Sequence, residues 1–256
     1  LIFYSEPAEL LQIVLRKDLF GRTVLGCAAR SGNCESFEAI LSLVPESERF
    51  QALTMQDRNG MTLLHRSVIW NKPKFIRYLI SLYSKPQLLQ ALNIRDRNGK
   101  TVLHCAVSFH RDESLECINT SLALYSESER LEAVSLRDIS GQTALHSAAL
   151  SGNIESLKTI LSLCPETERL QTLDLRDHSG KTVLYCAAEA GNVECIKHVL
   201  SRYPESERMQ ALNTKDEEGD TVLDRMPIHA HDLVMKWLSK PSEMQNEDEG
   251  FELFEM

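Results

Sequence analysis

No run of about 18 consecutive apolar residues occurs in this 256-residue sequence, so no membrane-spanning helix and no membrane insertion are expected. The opening "LIFYSEPAELLQIVL" has no basic stretch ahead of its apolar residues and no small-residue cleavage site, so it is not expected to act as a signal peptide. The chain starts with Leu, and the expectation is a piece of something longer. Paired cysteines are missing too. The seven thiols are an odd number and none sits in a CxxC pair, which argues for reduced cysteines and a cytoplasmic location rather than a disulfide framework or a zinc site. Positive charge is scarce: 28 Lys and Arg face 37 Asp and Glu, a net charge of -9 that argues against nucleic acid or an anionic membrane as partner. After Lys240 there are acids and no bases. There is no G-x-S-x-G, no phosphate-binding glycine loop and no HExxH, so no catalytic residue, cofactor, metal or small-molecule substrate is expected.

What is present is repetition. The pattern D-x-x-G-x-T-x-L recurs at Gly21, Gly60, Gly99, Gly141, Gly180 and Gly219, at spacings of 39, 39, 42, 39 and 39. An Asp stands three residues before each of these glycines and a Thr two residues after. Asp-x-x-Gly predicts a turn in which the carboxylate caps backbone N–H groups and Gly takes positive φ. The Thr predicts the N-cap of a helix. "TALHSAALSGN", residues 143–153, is small and apolar, which suits an inner helix ended by Gly152, as Gly191 ends its counterpart. "IESLKTILSL" and "VECIKHVLSRY" carry the i, i+3, i+4, i+7 spacing of a second helix. "PETERLQTL", copied as "PESERFQAL", "SESERLEAV" and "PESERMQAL", predicts a short third helix, with Pro and acids in its first turn and Leu170 and Leu173 facing inward.

These letters resemble the ankyrin repeat family, whose T-P-L-H-x-A-A-x-x-G pattern is matched by "TALHSAALSG", "TVLHCAVSFH", "TVLYCAAEAG", "TVLGCAARSG" and "TLLHRSVIWN". Pro never follows the Thr, and the period is longer than the family's usual value of about 33. The elongated form resembles repeats of ankyrin proteins that intracellular bacteria deliver into host cells. The resemblance implies an all-α solenoid of about six repeats, each with two antiparallel helices, a short extra helix and a projecting turn. It also implies a protein-binding function and a location in a cytosol, that of a host cell after secretion in the effector case. Residues 1–17 read as the third helix of a preceding repeat and 18–240 as repeats starting near 18, 57, 96, 138, 177 and 216, the last a degenerate cap broken by Pro227; 241–256 form an acidic-hydrophobic tail. "AELLQIVL" also resembles the first helix of an F-box. The alternative function is therefore the targeting part of a larger enzyme or ubiquitin-ligase adaptor whose remainder lies upstream.

Two registers invite chemical readings. His65, His104 and His146 align with Tyr185, Gly26 and Asp224; residues about 40 apart cannot converge on one metal or base, and the resemblance implies that this His orders the turn through backbone bonds. Cys27, Cys105 and Cys186 share a register that reads as a small buried position. The binding candidates lie where ankyrin repeats vary. The residue before each Asp is Lys17, Gln56, Arg95, Arg137, Arg176 or Lys215: either a basic ladder for an acidic partner segment, or residues engaged with the adjacent Asp or a neighbouring repeat. The turn tips add Arg58, Arg97 and His178. The ends of the inner helices place Ile69, Trp70, Phe109 and Leu150 on the expected concave face as apolar anchors for a protein partner, or else against adjacent repeats. Phe251 and Phe254 in the tail form a hydrophobic knot among acids that packs on the last repeat, binds a partner, or masks the chain's own basic ladder.

Overall fold

The computed structural model describes residues 7–108 and 112–240, and the chain divides into two units, 1–139 and 140–256. In the first unit the helices are α1 (Pro7–Leu15), α2 (Val24–Ser31), α3 (Cys34–Leu41), α4 (Glu46–Thr54), α5 (Leu63–Ile69), α6 (Pro73–Ser81), α7 (Lys85–Leu92), α8 (Val102–Ser108), α9 (Asp112–Leu122) and α10 (Glu127–Ser135). In the second they are α11 (Ala144–Ser151), α12 (Ile154–Leu163), α13 (Arg169–Leu173), α14 (Val183–Glu189), α15 (Val193–Leu200), α16 (Glu205–Leu212), α17 (Val222–Arg225) and α18 (Ile228–Leu238). Among the described residues there is no strand, and no helix is long and apolar enough to cross a membrane.

Each module is a turn, an inner helix, an outer helix and a short third helix. The inner helix begins at the conserved-pattern Thr: Thr23 Oγ1 accepts the Gly26 N–H at 3.2 Å, and Thr182 Oγ1 accepts that of Tyr185 at 3.3 Å. Such a cap contributes about 1 kcal/mol. Left-handed Gly32 and Gly152 end α2 and α11. Asn153 and Asn192 then cap the outer helices α12 and α15. Inner helices stack side by side, α2 on α5 on α8 in the first unit and α11 on α14 on α17 in the second. Small residues make that approach close: Ala144, Ala148, Ala149, Ala187 and Ala188 are all buried.

The outer helices supply the larger core groups. Phe37 of α3 meets Phe75 of α6 edge to face at 5.1 Å, and both are buried, each contributing about 1.5–3 kcal/mol. Leu157, Ile160, Ile196 and Val199 play this part in the second unit. The expected third helix is present as α4, α7, α10 and α16; one copy enters through a 3₁₀ turn, Glu166–Glu168, before α13. Leu173 is buried, whereas Leu170 is half-buried. In three of its four copies the Arg of this block has a specific contact: the Nε of Arg49, Arg169 and Arg208 donates to the carbonyls of Val44, Leu161 and Tyr203, at 3.3, 3.2 and 3.3 Å, whereas the Nε of Arg130 is buried without a partner among the described residues. At the last module the inner helix α17 spans only Val222–Arg225. Pro227 forces Met226 into extended backbone and ends it there.

Candidate protein-binding surface

The projecting turns follow one plan. The Oδ1 of Asp18, Asp57, Asp96, Asp177 and Asp216 each accepts two backbone N–H groups, from the residues two and four positions on, at 2.8–3.1 Å. The following glycines all take positive φ, from +74° to +91°. Successive turns are then joined by backbone. In the first unit the N–H groups of Arg58, Arg97 and Ile139 donate to the carbonyls of Phe20, Asn59 and Asn98 at 3.0 Å. In the second, His178 and Glu217 donate to Ser140 and Ser179 at 2.9 Å. A Cβ on Gly60 would stand 2.6 Å from the Arg97 nitrogen, so these glycines permit the stacking itself.

The histidine register is structural. The Nδ1 of His65, His104 and His146 lies 2.8 Å from the Oγ1 of Thr62, Thr101 and Thr143, closing the start of each inner helix. The far nitrogen reaches the next turn: His65 Nε2 is 3.2 Å from the Lys100 carbonyl, and His146 Nε2 is 2.9 Å from that of Leu175. Burial holds His65 below its ordinary pKa, so it is neutral. Tyr185 does the same work by another route, donating its hydroxyl to Asp216 Oδ2 at 2.7 Å. Of the cysteine register, Cys105 and Cys186 are buried as expected; burial pushes the Cys105 thiol up to about 12 and that of Cys186 up as well, which leaves both protonated. Cys27 is exposed instead, because α2 is the first inner helix of the described residues and carries no further inner helix on that side.

The sequence-predicted binding residues fall into distinct settings. Lys17, Gln56 and Arg176, from the register before each Asp, act as hydrogen-bond donors to backbone. Lys17 Nζ donates to the Gln56 carbonyl at 2.7 Å; Gln56 Nε2 donates to Gly60 and Arg95 at 2.6 and 2.7 Å; Arg176 Nη1 donates to Gly180 and Lys215, both at 2.8 Å. A neutral Gln does this as well as Arg, which explains why the register is not uniformly basic. Arg95 is exposed and Arg137 half-buried. The tip side chains of Arg58, Arg97 and His178 are exposed, while their N–H groups hold the turn stack. Ile69 and Trp70 are half-buried and Leu150 is 37% exposed. Phe109, Phe251 and Phe254 lie outside the described residues, and with them the tail reading.

One groove in the first unit gathers several of these groups. Trp70, Arg58, Arg66, Arg22 and Arg30 line a volume of about 320 Å³, together with Phe20, Met55, Met61 and Leu63. Phe20 is 64% exposed and lies under the Arg22 guanidinium at 4.7 Å. Phe20 and Arg30 were not singled out by sequence. Their signal was present, though, in Gly26, which occupies the histidine register and also lines the groove.

Residues 43–120 and 83–169 match the family model described as ankyrin repeats (3 copies). No curated protein matches the chain. The matched stretch contains the Thr–His caps, stacked glycine turns and paired helices described above, and the same construction occurs in the modules on either side of it. Residues 43–169 are ankyrin repeats, and the protein is an all-α ankyrin-repeat solenoid with a short extra helix between modules.

Proposed function

We propose that the chain binds a partner protein through the inner-helix ends and turns, using shape and charge complementarity with no bond-making step. Ankyrin repeats are in general protein-interaction modules, and fold alone does not name a partner. The observation that carries the reading is the open groove of the first unit, which half-buried Trp70 and exposed Phe20 both line, with half-buried Ile69 next to Trp70 in sequence. Trp and Arg are the residues most enriched among interface anchors. Leu150, Arg95, Arg97, Arg137, Arg176 and His178 are auxiliary contacts in this reading. The resemblance of the elongated repeats to secreted bacterial ankyrin proteins supports a role as the target-recognition part of an effector in a host cytosol. Immobilised chain, incubated with cell lysate and crosslinked, will retain a defined set of proteins. That set will shrink for Trp70→Ala while the melting temperature stays within a few degrees of wild type. An unchanged set for Trp70→Ala rejects this face as the binding surface.

A further inference from the structure

We infer that the groove of the first unit is a socket for one apolar side chain of an acidic peptide segment, opened by Gly26. The inference rests on the protein-binding reading and names the partner's chemistry. Its basis is a vacancy in a repeated construction. In the four modules that follow, the register of Gly26 holds His65, His104, His146 or Tyr185, each buried, and His65, His146 and Tyr185 reach the next turn; in the last module it holds Asp224, which caps Thr221 of its own helix. Gly26 has no side chain to send there, and the space is left as the inner part of the 320 Å³ groove, walled by Met55, Met61 and Leu63. The vacancy is not forced by backbone. Gly26 is helical, and a Cβ there would meet nothing closer than 3.6 Å. A Cβ fits, so the glycine is not required by backbone conformation or by a close contact at that carbon.

The rim decides what kind of segment fits. Arg22, Arg30, Arg58 and Arg66 line the groove, and Asp57 is the one carboxylate among the lining residues. Asp57 is taken by Arg66 at 2.6 Å, and Arg22 by Asp18 at 2.7 Å. Arg30 and Arg58 are exposed and have no side-chain ion pair among the described residues. Two uncommitted guanidinium groups over an apolar, aromatic-flanked hole, on a chain of net charge -9, form a local positive site suited to carboxylates on either side of an aromatic or aliphatic anchor. Trp70 and Phe20 flank that anchor.

The test uses a random 12-residue peptide display library selected against the whole chain, then fluorescein-labelled winners in anisotropy titrations. Winners displaced by Gly26→His are expected to carry Asp or Glu around one large apolar residue. Gly26→His supplies the ring that the other modules use, so its melting temperature will match or exceed wild type while affinity falls at least about tenfold. Arg30→Glu with Arg58→Glu will weaken the same peptides about tenfold or more, and replacing their acids by Asn and Gln will do likewise. Groove-binding winners without acidic enrichment overturn the acidic-partner inference and leave protein binding standing. Winners indifferent to Gly26→His overturn the socket. Failure to select any peptide overturns the socket together with the binding role of this groove.

Discussion

The stacked turns make a quantitative prediction that separates backbone conformation from packing. Gly141 and Gly219 belong to the same unit and both take positive φ, +77° and +91°. Alanine in that region costs about 1–2 kcal/mol, offset by about 0.4–1 kcal/mol from the reduced freedom of the unfolded chain. Gly219→Ala meets no atom within 4 Å, so that balance, about 1 kcal/mol, is its whole effect. Gly141→Ala adds a collision: the new Cβ would stand 2.7 Å from the His178 backbone nitrogen and 2.6 Å from its ring. The ring can swing away; the backbone cannot without giving up the His178 N–H bond to the Ser140 carbonyl at 2.9 Å. Losing that bond and displacing the adjacent turn together cost about 1.5–3 kcal/mol. Gly141→Ala should therefore be destabilised by about 2.5–4 kcal/mol, clearly more than Gly219→Ala. Urea unfolding measures this best in a Trp70→Phe background, where Trp237, buried in the same unit, is the remaining tryptophan of two and reports the transition. Equal midpoint shifts for the two variants would refute the stacking argument and leave only the φ cost.

Other outcomes follow from single contacts. His65 is held neutral by burial, so the unfolded chain binds its proton first; stability of the first unit is full above about pH 6.5 and falls as pH drops below it, with a His65 share of at most about 1.4 kcal/mol per pH unit that His65→Gln will remove from the pH dependence of urea midpoints. Asn71 takes φ +53° where Gly32, Gly152 and Gly191 end the corresponding helices, so Asn71→Gly should raise stability by up to about 1 kcal/mol in thermal or urea unfolding. Arg176 acts as a donor to two carbonyls, so Arg176→Gln, copying Gln56, should leave the midpoint nearly unchanged while Arg176→Leu lowers it by about 1–2 kcal/mol. Equal losses for Gln and Leu would show that charge, not hydrogen bonding, is what that position supplies.

Repetition made the scaffold legible, because a letter recurring at each module must answer a need that recurs. The roles of Asp, Gly and Thr in the turn are legible in the sequence alone, since the bonds they make run within eight residues. The third helix was readable from Pro, acids and spaced leucines for the same reason. Contacts that cross between modules have no such local pattern, and the sequence leaves them as one of two readings. The register of Lys17, Gln56 and Arg176 reads in sequence either as a basic ladder or as residues engaged with a neighbouring repeat; their reach to the next turn's carbonyl decides for the second, with a donor and not a charge as the common property. Arg49, Arg169 and Arg208 recur in a copied block, and each donates to a carbonyl near the end of the preceding outer helix. The same logic inverts for binding. A site cannot be found in what every module shares, because that part is spent on stacking modules together. It must lie where one module departs from the plan without being compelled to. Pro227 departs and ends a helix, so its consequence is structural. Tyr185 departs and restores the missing bond through Asp216. Gly26 departs, restores nothing, and leaves the space open although a Cβ would be accommodated there. Asp224, in the same register, departs and caps its own helix through Thr221, whereas the space beside Gly26 is part of an open groove.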